Sequence, residues 1–188
     1  MVSGLKVIDT LLSKRVAMKF GLALGVSMAP LMVNEPSTEF KPVLSYRQLD
    51  AKVRKQVDCL ADNIYFESRG EPVAGQKAVA LVTVNRARSG IFPKSVCAVV
   101  RQTTSSVCQF SWWCDADARY QVQRRKFAKR EYAAAREVAM DVYLNYNLMK
   151  DVTKGALFYH AAYVPKTAIG IKGLKRTTKI GQHIFYKV

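Results

Sequence analysis

The sequence predicts an α+β domain, helices first and a small antiparallel sheet late. Three observations lead there. Across residues 45–101, and again across 126–148, the apolar side chains return every three or four positions, the period of a helix face. Two later stretches, 156–160 and 179–186, are rich in Phe, Tyr and Ile and read as strands. An apolar share of 49% in 188 residues suffices for one globular domain with a real core plus a short extra segment. No internal repeat or low-complexity tract appears.

Residues 1–33 stand apart. Lys14 and Arg15 precede an uncharged run, Phe20 to Val33, which is too short to span a bilayer comfortably, since about 20 residues are needed. Ser27-Met28-Ala29 has the small-x-small pattern of a cleavage site, although Pro30 would hinder cleavage, and Met18 could open a compact signal of its own. Residues 1–33 are therefore expected to be a signal peptide or signal-anchor segment of an exported chain. If retained, residues 16–33 would associate transiently with the inner membrane; the alternative is a buried N-terminal helix. Residues 34–44, with Pro36 and Pro42, read as a linker, and 45–188 as the folded domain.

Ser45 and Gln48 have the spacing of a capping box. Leu49, Val53, Val57, Leu60 and Ile64 then form one apolar helical stripe, ending near Arg69-Gly70. Glu71-Pro72 predicts a turn, and Gln76 to Arg88 a second helix through Val79, Val82 and Ala87. Phe92 to Arg101 suggests a short helix with Val96, Val99 and Val100 inward. Residues 102–120 are irregular, whereas 126–148 predict a long helix carrying Phe127, Ala134, Val138, Val142 and Asn145. Ala156–His160 and Lys179–Tyr186 predict the strands.

Thirty Lys and Arg oppose fourteen Asp and Glu, a formal net charge of +16. Such a field attracts polyanions: nucleic acid, anionic lipid headgroups or acidic envelope polymers. The clusters Arg124-Arg125-Lys126, Lys129-Arg130 and Lys175-Arg176, with Lys172, are interleaved by Phe127 alone, a poor stacking platform. Cys59, Cys97, Cys108 and Cys114 lack C-x-x-C spacing, and with two histidines and no H-E-x-x-H the chain predicts no metal site and no cofactor. An even cysteine count in an exported chain favours disulfides, with three pairings open.

Extending the stripe from Leu60 and Ile64 places Glu67 near the apolar face. A carboxyl group there either finds a cation or is driven toward its protonated form, which suits a general acid. The alternative is an ion pair with Arg69, Arg86 or Arg88.

The run Leu60-Ala61-Asp62-Asn63-Ile64-Tyr65-Phe66-Glu67-Ser68-Arg69-Gly70-Glu71 resembles the motif of the SleB-type cell-wall hydrolases, the spore-cortex-lytic enzyme family. The similarity continues through Gly75–Ala80, Val84-Asn85-Arg86, Phe92–Val100, Cys108–Trp112, Ala156–Ala161 and Ile180–Tyr186, covering about residues 57–188 in order. The resemblance implies a lysozyme-like fold and cleavage of peptidoglycan between N-acetylmuramic acid and N-acetylglucosamine, by a lytic transglycosylase or a muramidase, in wall remodelling or phage lysis. It places the catalytic acid at Glu67, with Arg69 and Glu71 in support, Glu71 by binding a backbone amide or a motif arginine.

Gln109, Phe110, Ser111 and Trp112 offer the polar edges and ring faces that sugars need, with at least one ring expected in the core. Tyr159 and His160 sit where the family places its late aromatic-His strand; alternation sends them to opposite faces, so only one lines a cleft easily. Asp115 and Asp117, with Glu71, are the candidates for a second carboxylate; without one, the transglycosylase outcome is favoured. Cys108 and Cys114 bracket the aromatic loop, leaving Cys59 for Cys97. The expected protein is a monomer in the periplasm or extracellular cell wall, held by its charge on peptidoglycan and anionic envelope polymers, with no specific nucleic acid. The alternative is a basic envelope- or nucleic-acid-binding protein without catalysis.

Overall fold

A computed structural model describes residues 44–105, 107–124, 129–165 and 173–188, within a compact unit spanning Lys41–Val188. The expected signal segment 1–33, nearly all of the linker 34–44, Arg125, Lys126, Phe127 and Lys172 lie outside the described residues.

Ser45 and Gln48 do pair, the Gln48 carbonyl accepting from the Ser45 N–H and hydroxyl at 2.8 Å each. They close a separate 3-10 turn, Tyr46–Gln48, rather than opening the first helix. That helix, α1 (Ala51–Ser68), starts one residue after Asp50, whose carboxylate accepts the Lys52 N–H at 2.7 Å. Its middle is buried on all sides from Cys59 to Tyr65, not along one stripe. The reason is position: α2 (Val73–Arg88), α3 (Val96–Val100) and α6 (Lys129–Asn145) all pack against it.

Gly70 and Pro72 end α1, and Pro72 stands at the N-cap of α2, where its missing N–H costs nothing. α2 is likewise buried nearly all round, from Gly75 to Arg86. Its small residues let the sheet approach, and Ala78 and Val82 join Ala156 and Phe185 in a second apolar cluster beneath the strands. α3 is shorter than 92–101 suggests, because Ser95 caps it by accepting the Ala98 N–H at 3.2 Å.

The stretch expected to be irregular, 102–120, is ordered in short pieces. Thr103–Thr104 (β1) pairs with Val107–Cys108 (β2), followed by α4 (Ser111–Cys114) and α5 (Ala116–Arg124). Disulfides join Cys59 to Cys97, clipping α1 to α3, and Cys108 to Cys114, closing the ring around α4. The late sheet has three strands rather than two, β3 (Phe158–Ala161), β4 (Lys175–Ile180) and β5 (His183–Lys187), in the order β3-β5-β4, all antiparallel. The run 179–186 is a hairpin: Gly181 takes φ +57° at the first position of a two-residue turn between Ile180 and His183.

Candidate active site

Glu67 occupies the last turn of α1, half-buried, and faces β3 rather than solvent. The Tyr159 hydroxyl donates to its Oε2 at 3.0 Å across 92 residues of sequence. Burial pushes the Glu67 carboxyl above its ordinary value, against the Tyr159 hydrogen bond and the positive charge of Arg86, which both lower it. Burial, followed by the charge of Glu67, pushes the Tyr159 phenol well above its usual range, so it remains the donor. Among the described residues no ion pair joins Glu67 to Arg69, Arg86 or Arg88.

Arg86 is 5% exposed. Its Nε donates to the Leu157 carbonyl at 2.6 Å, and its guanidinium lies 5.0, 5.2 and 5.6 Å from the ring centres of Phe92, Phe110 and Phe158. This aromatic box keeps water from the cation, and one terminal nitrogen, Nη1, is sealed without a partner. An aromatic-lined cation of this kind acts at a distance, by its field. Arg69 does not share the site: it is exposed, with its guanidinium 5.0 Å from the Tyr65 ring centre. Arg88 turns to Tyr146 and Asn147.

The remaining expected residues separate by burial. Trp112 is 7% exposed; its indole N–H donates to Asn63 Oδ1 at 3.0 Å and its ring stacks on Phe66 at 4.6 Å. Asn63 in turn donates to Thr83 at 3.1 Å, so a buried polar chain fixes α4, α1 and α2 one turn below Glu67. Phe110 is buried against Arg86, whereas Gln109 and Ser111 are exposed. The rings at 110 and 112 are thus both spent on the core, where at least one was expected; the half-buried ring of this loop is Trp113, with Arg101 over it at 5.2 Å.

His160 lies on the face of β3 opposite Tyr159, 8% exposed, with Nε2 2.9 Å from the Tyr186 hydroxyl and Nδ1 2.8 Å from the Ala161 carbonyl. Both ring nitrogens are occupied, so it holds the sheet rather than meeting a ligand. Tyr159 is the member of the pair that reaches Glu67.

Glu71 turns inward at the α1–α2 turn with its side chain 8% exposed, accepting the Gln182 N–H at 3.0 Å. A Cβ at Gly75 would come within 2.8 Å of that carboxylate, and one at Gly181 would collide with it. Asp115 caps α5, accepting the Asp117 and Ala118 N–H groups at 2.8 and 3.1 Å, and Asp117 sits exposed in the first turn of α5. Glu71 and Asp115 are thereby committed to backbone amides. Among the described residues no group of three or more His, Cys, Asp or Glu is placed to hold a metal, and no helix is long and apolar enough to cross a membrane.

A half-buried, hydrogen-bonded carboxyl at the junction of helices and a small sheet is the candidate site. The chain belongs to the Cell Wall Hydrolase family, which it matches over residues 70–186. It is 33% identical over 128 residues to the spore cortex-lytic enzyme of Bacillus subtilis (strain 168), covering 67% of this chain and 35% of that protein. With the spore cortex-lytic enzyme of Bacillus cereus it shares 32% identity over 136 residues, covering 71% of this chain and 45% of that protein. The chain spans between about a third and a half of the length of these relatives.

The solved catalytic domain of the germination-specific lytic transglycosylase SleB from Bacillus anthracis superposes with a TM-score of 0.52 at 29% identity, covering 71% of this chain and 95% of that one. The catalytic domain of the Bacillus cereus SleB protein gives the same TM-score and identity and is covered to 91%. The fold is the mostly helical α+β, lysozyme-like one of these domains. The family match begins three residues beyond Glu67.

Proposed function

We propose that this chain cleaves the glycan strands of peptidoglycan between N-acetylmuramic acid and N-acetylglucosamine, as a lytic transglycosylase with Glu67 as its acid. The observation that carries this is the pairing of Glu67 with Tyr159. A carboxyl group with raised proton affinity keeps its hydrogen where an ordinary glutamate has lost it. Because Tyr159 donates to Oε2, the transferable proton belongs on Oε1.

In the first step Glu67 protonates the glycosidic oxygen, the bond from the muramic C1 to that oxygen breaks, and positive charge develops on the ring. Glu67, now ionised, is stabilised by the Tyr159 hydroxyl and the field of Arg86. In the second step it takes the proton of the muramic 6-hydroxyl as that oxygen bonds to C1. The product is a 1,6-anhydro ring, no water is consumed, and Glu67 ends protonated as it began. Hydrolysis would ask for a second carboxylate on the opposite face of the sugar. The employment of Glu71 and Asp115 on backbone amides supports the route that needs only one. The charge of +16 fits retention on peptidoglycan and anionic envelope polymers after export to the periplasm or wall.

Digestion of purified sacculi followed by mass spectrometry tests this. Wild-type protein is expected to release muropeptides with anhydro-muramic ends, and folded Glu67→Gln to lose about 10²- to 10⁴-fold in rate. Reducing muramic ends would replace the transglycosylase assignment with hydrolysis, and undiminished release by Glu67→Gln would remove Glu67 from its role.

A further inference from the structure

Next to Tyr159 lies a second buried ionisable pair, His183 and Glu71, that the mechanism above does not use. His183 opens β5, and its ring meets the Tyr159 ring edge-on, with centres 5.2 Å apart and planes at 89°. Its Nδ1 sits 3.8 Å from Glu71 Oε1, sealed from water and without a hydrogen bond. Glu71 is fixed by the Gln182 N–H, its backbone carbonyl accepts the Gln76 side-chain amide at 3.0 Å, and glycines at 75 and 181 make room for its carboxylate. Contacts thus run from the Glu71 carboxylate to the His183 imidazole, from there to the Tyr159 phenol, and from the phenol to the carboxyl of Glu67. They join two segments remote in sequence, the α1–α2 turn and the β4–β5 hairpin.

We propose that His183, held by Glu71, is a positioning residue that sets the direction of the Tyr159 hydroxyl and through it the proton affinity of Glu67. The inference rests on Glu67 being the acid of glycan cleavage.

The physical argument is one of degrees of freedom. A phenol ring on a strand can swing about two side-chain torsions, and a hydrogen bond of 3.0 Å survives only small excursions. Tyr159 packs on Phe185 at 5.9 Å, tilted at 42°, and meets His183 edge-on at 5.2 Å, and those two rings lie 6.4 Å from each other. Phe185 is fully buried and cannot give way. His183 can move unless the β4–β5 turn is pinned, and Glu71 pins it at the adjacent residue, Gln182.

The charged and titratable groups around these contacts are Glu67 from α1, Arg86 from α2, His160 from β3 and Glu71 from the α1–α2 turn. Burial lowers the proton affinity of His183, Glu71 raises it and His160 lowers it again. Neither His183 nor Glu71 is exposed enough to meet a glycan, their side chains being 10% and 8% accessible. Any effect they have on the reaction must travel through Tyr159.

That requirement makes the idea testable by a double-mutant cycle. Initial rates of muropeptide release from sacculi are measured across pH for wild type, His183→Gln, Tyr159→Phe and the double variant, each checked for folding by circular dichroism. His183→Gln is expected to slow release by up to about 100-fold, the scale of a small misplacement near the chemistry. It should also move the alkaline limb to higher pH, because a loosened Tyr159 no longer favours ionised Glu67. In the Tyr159→Phe background, where that hydrogen bond is already absent, His183→Gln should move the limb no further.

An unmoved limb in His183→Gln, or an equal shift with and without the Tyr159 hydroxyl, overturns the proposal. Should His183→Gln not fold, Glu71→Ala serves instead: it removes the acceptor of the Gln182 N–H, frees the turn that carries His183, and must shift the limb in the same direction. Full activity of Glu67→Gln would sink the acid assignment itself. Loss there with an unmoved limb in His183→Gln sinks only the positioning role.

Discussion

At the scale of single residues, the proposed role of Glu67 carries a stability cost whose sign can be worked out. Its folded proton affinity is raised by burial, so between the ordinary glutamate range near pH 4.3 and its own higher midpoint the unfolded chain binds fewer protons than the native one. Stability therefore falls as pH rises through that window and stays reduced above it. The cost is about 1.4 kcal/mol for every tenfold increase in proton affinity. Glu67→Gln, which cannot ionise and still offers Tyr159 an acceptor, should melt higher than wild type near neutral pH and at the same temperature in strong acid. Thermal melts at several pH values check this; a variant that melts lower at neutral pH would mean that the carboxylate contributes more than burial costs.

The position of Glu67 was legible in the sequence, since the stripe through Leu60 and Ile64 points to it. Its partner was not. Tyr159 and His160 are adjacent, and only the pairing of Tyr159 with Phe185 and of His160 with Ile184 decides which faces the acid. His183 stood in the motif block Ile180–Tyr186, but nothing tied it to Glu71, which lies 111 positions before Gln182 in the hydrogen bond that holds the turn.

Among the elements, the long helices were readable and the short ones were not. α1 and α2 have sustained apolar spacing, whereas α4 and α5 are too short to show a period and rest on local caps such as Asp115. β4 escaped notice because Lys175-Arg176-Thr177-Thr178-Lys179 is a polar edge strand, as edges usually are. The β4–β5 turn was invisible for a subtler reason: two residues preserve the alternation, so 179–186 reads as one strand with a glycine in it.

The disulfides make up for brevity elsewhere. Cys59–Cys97 closes a separation of 38 residues and Cys108–Cys114 one of 6. Chain entropy assigns about 4 kcal/mol to the first and about 2 kcal/mol to the second. Replacing the Cys59–Cys97 pair by alanines should lower Tm by roughly 10 °C, and replacing Cys108–Cys114 by about half as much. The second replacement should slow muropeptide release more per degree lost, because its ring carries Trp112, which anchors to Asn63 beneath the acid. Equal activity losses per degree would place α4 outside the working site.

For the whole molecule the charge of +16 is the property that any partner feels first. Charge alone left nucleic acid, anionic lipid and the envelope open, and the family resemblance pointed to the envelope; membership of the Cell Wall Hydrolase family agrees. Long-range attraction of this kind is screened by salt, the Debye length shrinking from about 30 Å at 0.01 M to about 3 Å at 1 M. Inactive Glu67→Gln protein should accordingly sediment with sacculi at low salt and be released as salt rises. Retention at 1 M would assign wall binding to short-range contacts instead.

For the molecule as a whole, the proposed function makes the folded core the device that keeps one proton on Glu67. Isotope-edited carbon NMR of the Glu67 carboxyl across pH, set beside the pH profile of muropeptide release, tests that directly. The expected result is a titration above the ordinary glutamate range whose midpoint coincides with the alkaline limb of activity, both moving to higher pH in Tyr159→Phe. A Glu67 that titrates like a free glutamate, or an alkaline limb that stays put when its midpoint moves, would contradict it.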